Sequence, residues 1–408
     1  MANAFNTAQL IGKEVLAQFK NNMVLAAHVN REAESVFRKE GDTVKLRKPV
    51  MFAAVQSQDI TSAKEDIQEN TCSVTLDTTQ TVSFEIGQSE LAHSIEALSE
   101  RYIKPAVIEI VQKVENSLAG LYTNIYNFTG TPTTTPSSLT SVGNAGVILT
   151  ENGLGQMENR NAFYDPEAAL ALANSLSSVH PDKIARTAIE EARVGRFAKF
   201  NIFECVSVPT HTNGVNTGTP LINNGTLSTT YAASKATWTM SLTTDGWTSD
   251  VTDIVKAGDV FTIAAVYAVN PKTRVSTGVL QNFVVTADAD SGASTGPAVL
   301  TISPPIITSG AYQTCNAAAV DGAEITIKTG ATTAQNKQNL LFHPKALGLA
   351  MAALEGPAGS ATETLSEDGI SITYSRDGDI NTFKTIHRLD VLYGVKLTMP
   401  QWAVRHTG

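Results

Sequence analysis

The middle of the chain changes texture. For roughly 120 residues, from about 212 to 330, Thr, Ser, Gly, Val and Ala dominate and apolar residues stop recurring every three or four positions. Short apolar runs replace that spacing at 260–266, 280–286, 298–303 and 324–328, each bounded by turn residues, and this pattern predicts strands. Helical spacing is present before the segment and again after it. The chain must therefore reconcile a compact β domain with an α plus β host into which it is set.

Composition narrows what such an arrangement can do. The 408 residues are 42% hydrophobic and 17% charged, enough apolar side chain for two or three cored domains. Lys and Arg total 30 against 39 Asp and Glu, and the net charge of -9 excludes a role resting on broad electrostatic attachment to nucleic acid or anionic lipid. Cys72, Cys205 and Cys315 are far apart, with no CxxC and no clustered His, so neither a disulfide framework nor a zinc module is written here. The first ten residues lack the basic-then-apolar pattern of a secretory leader. No uncharged apolar run approaches the roughly 18 residues a membrane span needs.

In the host, residues 7–37 place Val15, Leu16, Phe19 and Met23 at helical spacing, predicting one or two amphipathic helices. An arm of this kind, without a core of its own, is expected to cover its apolar face on a neighbour. Alternation at 43–48, 73–76 and 82–86 predicts a long two-stranded excursion. Ile103, Val107, Ile110, Val114 and Leu118 predict a long helix within 94–128, with Pro105 in its first turn. The Thr-, Ser-, Gly- and Pro-rich stretch 129–146 reads as a surface loop, and 166–176, 181–198 and 344–354 as helices. Residues 202–208 read as a strand ending at Pro209. Asp377-Gly378, between apolar runs at 370–374 and 382–386, reads as a hairpin turn, and 391–397 as a closing strand.

A catalytic constellation is not among these features. HExxH, GxxxxGK[ST] and GxGxxG are all absent. His28, His93, His180, His211, His343, His387 and His406 fall singly, without a second His or Cys at ligand spacing, and read as packing or surface groups. Cys205 reads as a buried inert thiol, and Glu190-Glu191 as a solvated helix face paired with nearby Arg. Asp288-Ala289-Asp290-Ser291-Gly292 lacks the glycine position and the closing carboxylate of a calcium loop. No catalytic residue, metal or cofactor is expected. An extended arm, a long β excursion and a long helix bury too little alone, which points to a subunit of a larger assembly. The Thr- and Ser-rich middle leaves a β-rich carbohydrate-binding or adhesion protein as the rival reading.

Four separated stretches sharpen this: Ser99-Glu100-Arg101-Tyr102-Ile103-Lys104-Pro105-Ala106, the run from Pro181-Asp182-Lys183-Ile184-Ala185 to Gly195-Arg196-Phe197-Ala198, Val208-Pro209-Thr210-His211-Thr212, and Asp390-Val391-Leu392-Tyr393-Gly394-Val395. In this order they resemble the coat proteins of phages related to the short-tailed Salmonella phage P-twenty-two. The resemblance implies an α+β Hong Kong 97 type capsid fold with an inserted β-barrel. On that mapping residues 1–38 are the N-terminal arm, 39–88 the E-loop and 89–140 the P-domain with its spine helix. The A-domain takes 141–211 and 333–379, the inserted β-barrel or I-domain 212–332, and the C-terminal P-domain strands 380–408. It further implies a non-enzymatic major capsid protein assembled in the bacterial host cytoplasm and located in the virion. Its partners would be itself as hexamers and pentamers, a scaffolding protein, a portal protein, and packaged double-stranded DNA without sequence-specific binding; no membrane is involved.

Within the expected E-loop, Lys45, Arg47 and Lys48 gather on the outgoing strand, and Glu65, Asp66 and Glu69 near the far end. They are the candidate intersubunit contacts.

Overall fold

The structure, a computed structural model, describes residues 7–31, 43–52, 71–87, 99–155, 158–177, 195–354, 360–367, 370–379 and 384–408. It divides into two compact units.

The first unit holds residues 1–46, 73–119 and 347–398. Its helix Lys104–Ala119 turns Val107, Ile110, Val111, Val114 and Leu118 inward at i, i+3 and i+4 spacing, so one stripe is buried and Glu109 and Lys113 pair on the other face. The helix Thr7–Asn22 packs against it, with Val15 and Phe19 completely buried. The described part of the arm thus covers its apolar face within its own subunit, contrary to the expectation that a neighbour is needed. Glu115, inside the apolar stripe, explains the fit: its carboxylate accepts the backbone N–H groups of Val24 and Leu25, the latter at 2.8 Å, where the arm turns into the short 3-10 segment Ala26–His28.

The hub of this unit's sheet is the strand Lys384–Leu397. It pairs antiparallel with Thr78–Gly87, Ile370–Asp379 and Leu347–Ala352, and Ala361–Glu367 pairs with Ile370–Asp379. Two expectations change here. Residues 347–352 form a fully buried strand instead of a helix, because Leu347, Leu349 and Met351 are buried on one side while Ala350 and Ala352 pack with Leu392 on the other. Asp377-Gly378 lies inside a strand, paired with Ile386 and Thr385, and is not a turn; residues 380–383 lie outside the described residues. The strand Thr43–Arg47 pairs with Thr71–Thr75, as expected of the excursion.

The second unit holds residues 47–72, 120–346 and 399–408. A six-stranded sheet orders Phe128–Thr129, Ala403–His406, Asn339–Phe342, Asn161–Tyr164, Phe200–Glu204 and Arg196–Phe197. Helices Leu139–Glu151 and Pro166–Ser177 bury Val142, Leu149, Ala168 and Leu172 against Ile202, Leu341 and Val404. The helix Leu139–Glu151 corrects the loop expected over 129–146. Ser138 caps it by accepting the Ser141 N–H, and buried Arg160 binds its Gly146 carbonyl at 2.9 Å. Residues 178–194, most of the helix expected at 181–198, lie outside the described residues; Arg196–Phe197 is a strand. The strand expected over 202–208 runs instead from Phe200 to Glu204.

The β segment is set into this unit on a two-strand stem. Thr210–Thr212 pairs antiparallel with Gln335–Lys337. Beyond the stem an antiparallel sheet orders Ile325–Ile327, Val260–Val269, Ser276–Val285, Ala298–Ser303, Met240–Trp247 and Gly218–Ile222, and its edges meet at a Leu221–Glu324 bridge. The strands expected at 260–266, 280–286, 298–303 and 324–328 are all present. Alternation places Leu242, Phe261, Ile263, Phe283, Leu300 and Ile302 in one core. The three cysteines are buried and form no disulfide among the described residues, and burial pushes the Cys315 thiol up to about 12, which makes it inert.

Candidate functional site

The stem brings together four groups that the sequence scatters over nearly three hundred positions. His211 sits on the stem, Asp259 at the turn before the strand Val260–Val269, Tyr122 on the 3-10 turn Gly120–Asn124, and Arg405 on the strand Ala403–His406. Asp259 is fully buried, and a carboxylate can only accept, so His211 Nε2 carries the proton that bridges to Asp259 Oδ1 at 2.8 Å. In the neutral ring Nδ1 then accepts from the Tyr122 hydroxyl at 3.1 Å. The other carboxylate oxygen accepts the backbone N–H groups of Lys256 at 2.9 Å and Gly214 at 3.1 Å.

Gly258 makes this approach possible. Its φ is +101°, and a Cβ there would stand 3.0 Å from His211 Cε1, so glycine is required on both counts. Its carbonyl accepts Arg405 Nη2 at 2.8 Å. The Arg405 guanidinium is completely buried, lies over Tyr122 at 5.7 Å and Phe128 at 5.9 Å, and leaves Nε and Nη1 without a partner among the described residues. Burial lowers its pKa to about 10, while Tyr122 and Asp259 act in the opposite direction, so it remains a cation at neutral pH. The arrangement ties the base of the β segment to the host sheet.

A Tyr–His–Asp chain has the order of a catalytic relay, but the chemistry runs the other way. Burial raises the Tyr122 pKa, whereas a nucleophile needs it depressed. Asp288 and Asp290 are likewise structural: they accept the backbone N–H groups of Ala257 at 2.7 Å and Asp253 at 2.8 Å. No group of three potential metal ligands occurs among the described residues.

Of the E-loop charges, Lys45 is exposed on Thr43–Arg47, Arg47 ends that strand, and Lys48 follows half-buried. Glu65, Asp66 and Glu69 lie outside the described residues. The anchor of Tyr122, Asp259 and Arg405 was missed by sequence reasoning. The lone His211 beside Pro209 and the Gly258-Asp259 pair were its only signals, and neither reveals the partner.

The family model for the P22 coat protein, gene protein 5, matches residues 1–408. The chain belongs to the P22 coat protein family. It is accordingly a major capsid protein of the α+β Hong Kong 97 type, which assembles with copies of itself into the icosahedral phage head and resides in the virion capsid. Among solved structures, the coat protein is similar to the capsid of Ralstonia phage GP4 at 10% identity, covering 96% of this chain and 91% of that one, TM-score 0.47. A chain of Mycobacterium phage Che8 gives 13% identity, 94% and 90% coverage, and TM-score 0.45. The CUS-3 coat protein I-domain is 25% identical, with 28% of this chain and 98% of that chain covered and TM-score 0.20. Comparison with curated proteins gives no match. No helix among the described residues is long and apolar enough to cross a membrane.

Proposed function

We propose that this coat protein builds its shell as hexamers and pentamers by the division of labour that its family resemblance implies, and that the match over residues 1–408 carries the reading. Residues 1–38 serve as the arm, 39–88 as the E-loop, 89–140 and 380–408 as the P-domain, 141–211 and 333–379 as the A-domain, and 212–332 as the I-domain. The closed sheet on its stem supports the last assignment. Assembly takes place in the host cytoplasm with a scaffolding protein and a portal, and double-stranded DNA is then packaged without sequence-specific contacts. The net charge of -9 is compatible with packaging by a motor, which needs no basic inner wall. The role is non-enzymatic, in keeping with the raised pKa of Tyr122.

The E-loop is the proposed intersubunit contact. Phe52, 63% exposed, gives it an apolar contact group beside Lys45, Arg47 and Lys48. Glu65, Asp66 and Glu69 supply the opposite charge, which sets register more than affinity. Replacing these three by Lys leaves the subunit folded and lowers the yield of shells counted by electron microscopy, with the defect shrinking as salt rises. Wild-type yield at every salt concentration would remove the contact assignment.

A further inference from the structure

Within the second unit lies a cavity of about 140 Å³. Tyr126, Tyr231, Trp238, Tyr312 and Trp402 line it. Tyr231 and Tyr312 stack with centroids 3.6 Å apart and planes 1° apart, and Trp238 meets Tyr231 edge-on at 6.1 Å. The indole N–H groups of Trp238 and Trp402 are buried with no acceptor among the described residues. Trp247, the remaining tryptophan of the three, donates to Thr244 Oγ1 at 2.8 Å, as buried indoles ordinarily do. No carboxylate lines the cavity among the described residues, and Lys48 is its single charged side chain.

We propose that this cavity is a binding site for a small neutral ligand: one planar ring bearing a hydrogen-bond acceptor, such as an aromatic amide. The volume matches one benzene-sized ring. Aromatic walls favour a planar apolar body by offset or edge contacts. The two indole donors ask for an acceptor, which a hydrocarbon lacks. A cation would find no carboxylate, and a sugar would find no acidic acceptor for its hydroxyl groups. A water molecule would satisfy an indole but leave the stacked walls wet. Lys48 at the rim is already engaged by another contact, and the amide side chains of Gln281 and Gln313 add neutral polar groups there. This is a property of the folded subunit and does not rest on the division of labour proposed above.

Titration of the full-length subunit with benzamide tests the site, because two of the three tryptophans line it and report directly. The expected result is a saturable change in tryptophan emission and a melting temperature raised by at least ~2 °C at saturation. Benzoate, benzylammonium and methyl glucoside should bind at least tenfold more weakly. Trp238→Phe keeps the ring and removes the donor, and should weaken benzamide about fivefold. Val269→Phe places a ring in the cavity and should abolish the response, which also decides the matter should Trp238→Phe fail to fold. The proposal is overturned by a linear, unsaturable response to benzamide, by equal binding of any of the other three compounds, or by an unchanged response in either folded variant.

Discussion

Truncating Asp259 to Ala removes the centre of the buried anchor. Three short hydrogen bonds are lost, from His211 Nε2, Lys256 N and Gly214 N, and none of these donors gains access to water easily because the carboxylate is 0% exposed. Each stranded donor costs about 1–3 kcal/mol, and the uncompensated Arg405 cation adds to this, but neighbouring losses are not additive. No direct ion pair to Asp259 is broken, so the stranded donors set the scale, about 3 kcal/mol in all. Set against a domain stability of about 5–15 kcal/mol, that is a large fraction. Asp259→Asn should be milder, about 1–2 kcal/mol. Its carbonyl oxygen can keep the two backbone donors, while its NH₂ faces His211, which accepts at Nε2 after moving its proton to Nδ1 and donates to the Tyr122 oxygen. Urea unfolding, followed by tryptophan emission, to which Trp247 in the β core contributes, and by circular dichroism, gives the midpoint and slope from which these values follow. A loss below about 1 kcal/mol for Asp259→Ala would show that the anchor does not stabilise the unit. Equal damage from Asn and Ala would refute the tautomer argument.

Acid should destabilise the protein through two buried histidines: burial holds His387 and His406 at about 4, against 6.5 when unfolded, and a proton added at His406 Nε2 finds no acceptor among the described residues. The unfolded state takes up the protons first, so stability is full above about pH 7, falls between 6.5 and 4, and levels off below; each group contributes up to ~3 kcal/mol, and His406→Gln should flatten a melting-temperature profile over that window. Deleting residues 1–31 exposes Val107, Ile110, Val111 and Val114, so the truncated chain should sediment as aggregate, and a soluble monomer would contradict the packing of Thr7–Asn22. A fragment 208–338 retains the stem and His211 and should fold with dispersed amide signals and a higher melting temperature than 212–332, which lacks the Asp259 partner; equal melting temperatures would remove the stem from the folding unit.

The β segment was legible because alternation is enforced wherever one sheet face is buried, as at Phe261, Ile263, Phe283 and Ile302. Leu347-Gly348-Leu349-Ala350-Met351-Ala352 misled because five of its six residues are good helix formers, and only burial on both faces selects the strand. The helix Leu139–Glu151 hid among Ser, Thr and Gly, residues of weak propensity, because its stability comes from distant partners such as Arg160 and Phe200. The family was readable from four short stretches. The anchor was not, since no local rule joins Tyr122, His211, Asp259 and Arg405, and Tyr122 and Arg405 carry no unusual neighbour in sequence.

The pairing of Thr78–Gly87 with Lys384–Leu397 runs unbroken from Lys384 opposite Gly87 to Tyr393 opposite Thr78. In a closed shell under internal pressure, the wall carries tension. Hydrogen bonds of an antiparallel ladder lie across the strands, so a pull along them shears every rung together, whereas a pull at one end opens rungs singly. Resistance to forced separation is a matter of rate, set by the barrier to the first failure. The ladder is therefore built like a lap joint, strong along one axis and weak along the other, and the direction from which a load meets it decides how long it holds.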